Sequence, residues 1–123
     1  LGIVGYEDQK LYELCSENYF ELQAGSHAEE LLDLETMDLN TLPNFEINES
    51  YPYYDFVIHN FSGNYKDENG AIRQICEERE TDGTFVSMKA EGNKLYLSYN
   101  KNVVIYTKVF FQVRFMIMPH APV

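Results

Sequence analysis

The feature that most constrains the fold is a strict alternation of apolar and polar residues near the end of the chain. Within residues 109–118, every second position is a large apolar residue, namely Phe111, Val113, Phe115 and Ile117. Polar Gln112 and Arg114 stand between them. A period of two puts alternate side chains on opposite faces of a strand. The segment therefore predicts a long antiparallel strand with one buried face.

Several earlier segments also have strand character, and short turns rich in Gly, Asn and Asp separate them. The predicted strands are 55–59, 71–75, 84–88 and 93–99, and the predicted turns include 60–64, 67–70 and 91–93. Short strands at this spacing indicate an all-β fold. We expect an antiparallel β-sandwich, which includes the jelly-roll type, or a barrel.

Residues 27–39 are the one segment that also fits a short helix. Ser26 would be the N-cap and Glu29 would occupy the third helical position. Leu31 and Leu34 would then lie on the buried side. Alternating leucines in the same segment fit a strand equally well, so both interpretations remain open.

The length of 123 residues predicts one domain, which we place at 1–118. Two prolines in 119–123 cannot continue a sheet ladder, so those residues are predicted to be a tail or linker. The aromatic content of 15% exceeds that of a disordered chain. No apolar stretch approaches the roughly 20 residues that cross a bilayer, so direct membrane insertion is not expected.

The charge is strongly negative and unevenly spread. Residues 1–62 hold 13 acidic and one basic side chain, a net charge of -12, whereas residues 63–123 hold 7 acidic and 8 basic, a net charge of +1. The total of -11 argues against nucleic-acid binding, because phosphates would be repelled. A protein partner with a basic surface is one expectation. The other is that the acidic side chains serve only to keep the protein soluble.

Two features indicate the secretory route and an extracellular location. The first is a pair of acceptor triplets for N-glycosylation, which begin at Asn48 and Asn60. The second is an even number of cysteines, Cys15 and Cys76, with no initiator Met before them. The chain is thus expected to be a mature or excised segment of a larger secreted or membrane-anchored glycoprotein.

A disulfide bond between Cys15 and Cys76 is predicted on the same grounds. It would close a loop of about 60 residues and stabilise the fold by about 4 kcal/mol. The alternative is a cytosolic protein in which both thiols are reduced and buried. Neither cysteine belongs to a pattern that holds zinc or performs redox chemistry.

Residues 45–118 resemble the second half of a CUB domain, which is an extracellular β-sandwich. The resemblance rests on segments that follow in family order: 45–48, 54–57 with Gly63 as the turn after it, the cysteine at 75–76, the Gly-Asn turn at 92–93, the strand 95–99 and the closing strand 111–115. Between the third and fourth segments, residues 85–87 also fit. The resemblance implies a CUB-like sandwich that recognises other proteins.

Many CUB domains bind calcium, and the resemblance implies a weak calcium site here. Asp55 matches the family's central ligand, and Glu46 stands near the upstream ligand position. Asn100 occupies the later position, where the family has Asp. Oxygen ligands of this type suit a hard cation. Apart from this possible calcium, no cofactor is expected, and Asp55 could instead be a turn residue that accepts backbone hydrogen bonds.

The tyrosine-rich segment 51–54 is the most unusual local feature. Exposed tyrosines are effective interface anchors, because they bring contact area at a small cost in rotamer entropy. We therefore expect Tyr51, Tyr53, Tyr54 and Asp55 to contact a partner protein. Packing at the edge of the sandwich is the other interpretation of these side chains.

The sequence contains no arrangement of catalytic residues, so the first hypothesis is a non-enzymatic, extracellular protein-recognition module. The alternative is a structural or assembly subunit, such as a coat, receptor or fibre component, in which an oligomer is expected. In that case the last strand, 103–118, would be completed by a neighbouring chain. Phe110 and Met116 lie on the face opposite Phe111 and Phe115, which would allow burial on both sides.

Overall fold

The computed structural model of the protein describes residues 10–121, and this part of the chain is built almost entirely of β-strands. In chain order the strands are β1 (Lys10–Leu22), β2 (Gly25–Asp33), β3 (Tyr53–Lys66), β4 (Ile72–Gln74), β5 (Phe85–Glu91), β6 (Lys94–Lys101) and β7 (Ile105–His120). A single 3-10 turn, Leu39–Thr41, lies in the long connection between β2 and β3.

The strands form two antiparallel sheets that pack face to face. The four-stranded sheet has the order β1-β7-β3-β4, and the three-stranded sheet has the order β2-β6-β5. The largest fully buried side chains come from both sheets and include Tyr99, Phe115, Leu22, Leu95 and Leu97. The predicted all-β antiparallel sandwich is therefore confirmed.

A bent two-stranded ribbon joins the two sheets. Only residues 23–24 separate β1 from β2, and only residues 102–104 separate β6 from β7. Since β1 pairs with β7 and β2 pairs with β6, both strands of the ribbon leave one sheet and enter the other at the same corner. Leu22 lies opposite Ile105 on one side of this corner, and Gly25 lies opposite Lys101 on the other.

The predicted alternation in β7 is confirmed along the strand. Odd-numbered residues from Ile105 to Pro119 are buried, whereas the even-numbered residues are exposed or half-buried. However, β7 is flanked by β1 on one side and by β3 on the other. Both edges of β7 are therefore paired between Val109 and Ile117, so a neighbouring chain could not add a strand beside that part of it.

The helix considered for residues 27–39 does not form, and the strand interpretation is the correct one. Gly25–Asp33 is β2, which pairs with β6. A register shift between Glu30 and Leu32 makes a bulge at Leu31. An extra residue in one strand changes the spacing of the side chains that face the core. Buried Leu31 and Leu34 consequently stand three residues apart, as they would on a helix.

Strand β7 extends across residue 118, where the sequence places the boundary between domain and tail. Pro119 and His120 belong to β7, where they lie opposite Tyr54 and Tyr53 of β3. The first described residue of β1, Lys10, lies opposite Ile117. Beyond Ile117, β7 therefore has a described neighbour on one side alone, and a proline is tolerated at such an edge position. Residues 122–123 of the predicted tail lie outside the described part of the chain.

Candidate functional site

The side of the four-stranded sheet that faces away from the three-stranded sheet is here called the outer face. Strand pairing arranges its side chains in rows that run across the sheet from β1 to β3. Leu11 lies opposite Met116, which lies opposite Val57. The rows that follow toward the corner are Glu13–Arg114–Asn60, Cys15–Gln112–Ser62, Glu17–Phe110–Asn64 and, from β1 to β7 only, Tyr19–Lys108.

Four large apolar side chains gather on the outer face near the corner. Their exposed fractions are 72% for Ile72, 67% for Tyr19 and for Tyr106, and 45% for Phe110. They come from three different strands, and with Lys66 and Lys108 they line a hollow of about 390 Å³. We call these six residues the Phe110 patch. Clustered exposed apolar side chains with a polar rim are typical of a protein interaction site.

Cross-strand pairs with acidic side chains of β1 hold the patch in place. The ammonium group of Lys108 lies 2.8 Å from Glu17 Oε1, and this carboxylate raises the pKa of Lys108. The phenol of Tyr106 donates a hydrogen bond of 2.8 Å to Glu21, which raises the pKa of Tyr106. In a chain of net charge -11, the patch thus contains two lysines and no acidic residue, and two contacts join its Tyr106 and Lys108 to β1.

A second hollow of about 390 Å³ adjoins the first on the same face. Asn64 and Phe110 line both hollows. The second hollow is more polar, since its wall includes Cys15, Ser62 and Gln112. Amides and hydroxyls of this kind can donate and accept hydrogen bonds without carrying charge. The two hollows form one surface with an apolar end and a polar end.

The structure separates the predicted tyrosine cluster between the two faces of its sheet. Tyr53 and Asp55 lie on the outer face, at the end remote from the Phe110 patch. There the Tyr53 ring stacks on His120 with centroids 5.9 Å apart, and Asp55 lies 3.6 Å from His120 Nε2. Tyr54 instead packs inward against Phe45. Its buried hydroxyl has no hydrogen-bond partner among the described residues.

Of the four predicted contact residues, Tyr53 and Asp55 are therefore placed where a partner could reach them. Tyr51 is half-buried in the loop before β3. Tyr54 contributes to the core. His120, which the sequence assigns to a tail, joins the exposed pair through its place in β7.

The three residues predicted to bind calcium do not come together. Asp55 lies opposite Met118, near the end of β7, whereas Asn100 lies in β6 next to the corner where β7 begins. Glu46 lines a hollow together with Tyr12, Ile117 and Pro119, whose side chains face inward. Asp55 faces outward, on the opposite side of the sheet. Among the described residues, no group of three His, Cys, Asp or Glu side chains is arranged to hold a metal ion.

The predicted disulfide bond is wrong for this structure, in which Cys15 and Cys76 are both free and exposed. Cys15 lies in β1 at one edge of the sheet, and Cys76 follows β4 at the other edge. Three steps between strands of about 4.8 Å each separate these edges by roughly 14 Å. A disulfide requires Cα atoms about 4.4–6.8 Å apart. Cys76 is held instead by a hydrogen bond of 3.0 Å from its N–H to the Val86 carbonyl.

The two glycosylation triplets occupy different settings. Asn60 is exposed on the outer face, beside a register shift in β3 and opposite Arg114. Asn48 is half-buried, and its side-chain oxygen accepts a hydrogen bond of 3.0 Å from the Ser50 N–H. Asn60 thus presents the more accessible acceptor, and it lies between the Phe110 patch and Tyr53.

Sequence reasoning does not find the Phe110 patch. The alternation in the last strand places Phe110 on the less buried face, and this is a usable signal. Tyr19 and Ile72, however, reach the same surface from β1 and β4. Their proximity depends on which strands pair and in what register, and a single sequence does not specify long-range pairing.

The chain matches no protein-family model, no curated protein and no solved structure. The resemblance of residues 45–118 to a CUB domain consequently stays a prediction. Within residues 10–121, no helix has the length and hydrophobicity needed to span a membrane.

Proposed function

We propose that the protein is a non-enzymatic recognition domain that binds another protein through the outer face of its four-stranded sheet. The observation that carries this proposal is the Phe110 patch, where four large apolar side chains from three strands are exposed around one hollow. Aromatic anchors contribute much of the affinity in protein interfaces. Because regular strands hold these anchors, little order would be lost on binding.

The proposed partner carries an apolar projection that enters the hollow and polar groups that meet its rim. Lys66 is exposed and has no ion-pair partner among the described side chains, so it is available to an acidic group on the partner. The adjoining hollow offers the side chains of Ser62 and Gln112 for hydrogen bonds. Tyr53 and Asp55 lie at the far end of the same face, beyond Asn60, and would contact a partner separately from the Phe110 patch.

Substitution of two patch residues tests this function. The immobilised protein would capture candidates from extracellular fluid, and each purified candidate would then be titrated against Phe110→Ser and Ile72→Ser. Val103→Ser is the matched control, because Val103 is also an exposed apolar residue but lies in the β6–β7 connection. The proposal expects at least a tenfold loss of affinity in both patch variants and none in the control. Equal affinity for all variants would contradict it.

We also propose an extracellular location, as part of a larger secreted or membrane-anchored protein. The support is the pair of glycosylation triplets, of which Asn60 is the accessible one. The free cysteines remove the disulfide from this argument. Expression through a eukaryotic secretory route, with intact mass measured before and after glycosidase treatment, tests the proposal. Loss of the mass shift in Asn60→Gln would locate the glycan, and an unmodified secreted chain would contradict use of the triplet.

The alternative proposal is an assembly subunit whose last strand packs against a neighbouring chain. Both edges of β7 are paired between Val109 and Ile117, so along that part the neighbour would contact its outer face, where Phe110 projects, with Tyr106 nearby. Sedimentation of the wild type and of Phe110→Ser distinguishes the two functions. An oligomer that dissociates in this variant supports the assembly, whereas a recognition domain keeps the same mass in both forms.

A further inference from the structure

The free edge of β1 is the longest regular strand edge that the described structure leaves unpaired. β1 contains 13 residues and pairs with β7 along its whole length without a register shift. Among residues 10–121, no strand pairs with its other edge. An exposed edge presents N–H and C=O groups in a row and therefore favours pairing with another strand.

The usual protections of an edge strand are nearly absent from β1. Within Lys10–Leu22 there is no proline, and the one lysine is the first residue. The other strands with a free edge are shorter or irregular: β2 and β3 each have a register shift, and β4 and β5 have 3 and 7 residues. Bulges and short lengths of this kind prevent unwanted pairing. β1 lacks both.

Three glutamates of β1 are drawn away from the free edge by β7. Glu13 lies 3.9 Å from Arg114, and Glu17 lies 2.8 Å from Lys108. Glu21 accepts the hydrogen bond from Tyr106. Since each carboxylate points across the sheet toward β7, the charges that would repel a new strand lie on the side opposite the free edge.

We infer that β1 pairs with β1 of a second copy of this chain, antiparallel and centred on Ser16. Side chains opposite each other in an antiparallel pair must point to the same face. Among the registers that satisfy this rule, the one centred on Ser16 is unique in pairing all 13 residues of each strand. The dimer forms through the edge of β1 rather than through the outer face, and it joins two four-stranded sheets into one of eight strands. Tyr19 and Cys15, which line the outer-face hollows, would lie beside this edge.

The residue pattern of β1 is self-complementary in this register. Glu13 lies opposite Tyr19 of the other copy, Glu17 lies opposite its Cys15, and Glu21 lies opposite its Leu11. No glutamate faces another. A register centred on Cys15 would place Glu13 opposite Glu17, and one centred on Glu17 would place Glu13 opposite Glu21. Like charges directly opposite each other are destabilising. On the inner face Tyr12 meets Phe20, and both side chains are partly buried against the core of their own copy.

Disulfide trapping of the full chain tests both the dimer and its register. In a Cys76→Ser background, Glu17→Cys places the new thiol opposite Cys15 of the other copy. Oxidised glutathione accepts the two electrons and two protons of each thiol pair that closes. The proposal expects a covalent dimer for Glu17→Cys. Peptide mass mapping should identify two bonds, each between Cys15 of one copy and the introduced thiol at position 17 of the other.

Two controls fix the register. Glu13→Cys in the same background also loses an ion pair to β7, but its thiol would face Tyr19 of the other copy and should not form a bond. The background with Cys15 alone should also form no covalent dimer after oxidation, because Cys15 lies diagonal to its copy at about 7–8 Å. Efficient trapping in either control, or none in Glu17→Cys, would overturn the inference.

Sedimentation equilibrium supplies a test without new thiols. In the dimer, Cys15→Glu places the new carboxylate of each copy opposite Glu17 of the other copy, which gives two repulsive pairs. Cys15→Ser adds no charge. The expected result is a dimer for the wild type and for Cys15→Ser, and at least a tenfold weaker dimer for Cys15→Glu with an unchanged circular dichroism spectrum. Added salt should strengthen all three dimers, since each copy has a net charge of -11. A wild type that stays monomeric at 100 micromolar (order of magnitude) would refute the pairing.

Discussion

The hydroxyl of Tyr99 accepts a hydrogen bond of 3.1 Å from the backbone N–H of Gln23. Tyr99 is fully buried in β6, and Gln23 lies in the two-residue connection between β1 and β2. The contact therefore fastens one strand of the ribbon to the other at the corner where both change sheets. A backbone N–H at such a corner has no ladder partner and needs one from a side chain.

Tyr99→Phe is expected to destabilise the protein by about 1–2 kcal/mol, because the substitution leaves the Gln23 N–H without its acceptor. The ring and its packing are retained, so cavity formation does not contribute. Urea denaturation measures the change. Tyr106→Phe is the control: it also removes a phenol hydroxyl, but from an exposed pair with Glu21, and should change stability by less than about 0.5 kcal/mol. Equal losses in the two variants would contradict the role of the corner contact.

Gly63→Ala is expected to destabilise the sandwich by about 1–3 kcal/mol through overpacking. A Cβ atom at this position would lie 2.5 Å from the Phe110 carbonyl oxygen and 3.2 Å from the Met88 sulfur. The backbone oxygen cannot move without disturbing the pairing of β3 with β7. Ser62→Ala, one residue earlier on the exposed side, should be within about 0.5 kcal/mol of the wild type. Thermal melts of both variants check the prediction, and an unaffected Gly63→Ala would refute it.

The Lys101–Glu68 ion pair predicts an order of stability for two substitutions. The Lys101 side chain is only 6% exposed, and its ammonium group lies 3.2 Å from the partly exposed Glu68 carboxylate. Glu68→Gln leaves a buried charge without its partner and should cost about 1–3 kcal/mol. Lys101→Met removes the buried charge itself, so it should cost less than Glu68→Gln. A lower denaturation midpoint for Lys101→Met than for Glu68→Gln would contradict this prediction.

Asp82 predicts a dependence of stability on pH. Its carboxylate accepts hydrogen bonds from the N–H and the hydroxyl of Thr84, at 3.0 and 2.7 Å, and these bonds hold the pKa of Asp82 below its ordinary value. A group with a lowered pKa in the folded state stabilises the fold above its unfolded pKa of about 3.9, and the stabilisation is lost as pH falls through the folded pKa.

The melting temperature of Asp82→Asn should therefore be lower than that of the wild type at pH 7, and the difference should shrink below about pH 4. Glu77→Gln is the control, because Glu77 is an exposed acid in the same loop. The difference in melting temperature between Glu77→Gln and the wild type should not become smaller in the same pH range. A constant difference for Asp82→Asn would show that the charge of its carboxylate is not what matters.

The local sequence pattern predicts where the strands lie in the chain better than it predicts which strands pair with each other. The alternation around Phe115 correctly identifies β7 and its buried face, because a period of two is a property of consecutive residues. The bulge at Leu31 makes a strand resemble a helix, since its extra residue changes the spacing of two buried leucines. The ladder reaches Pro119, where β7 has a described neighbour on one side alone. Both exceptions depend on tertiary pairing.

The candidate sites also depend on which strands are neighbours in the sheets, and the sequence does not specify this. The prediction for Cys15 and Cys76 assumes that two strand-like segments are adjacent, but β7 and β3 lie between them. The predicted interface groups Tyr53 and Tyr54 in one cluster, although consecutive residues of a strand face opposite sides. The sequence itself could have separated Tyr53 from Tyr54, because the segment that follows them is predicted to be a strand.

The two-stranded ribbon, in which β1 and β2 pair with β7 and β6, sets the time at which the sandwich can be completed during synthesis. β1 and β3 pair with β7, and β2 pairs with β6, so the strands made first wait for residues 94–120 to leave the ribosome. Until then their apolar faces lack a sheet to join, and the nascent chain is open to chaperones and to aggregation. Contacts between residues so distant in sequence also slow the search for the native state.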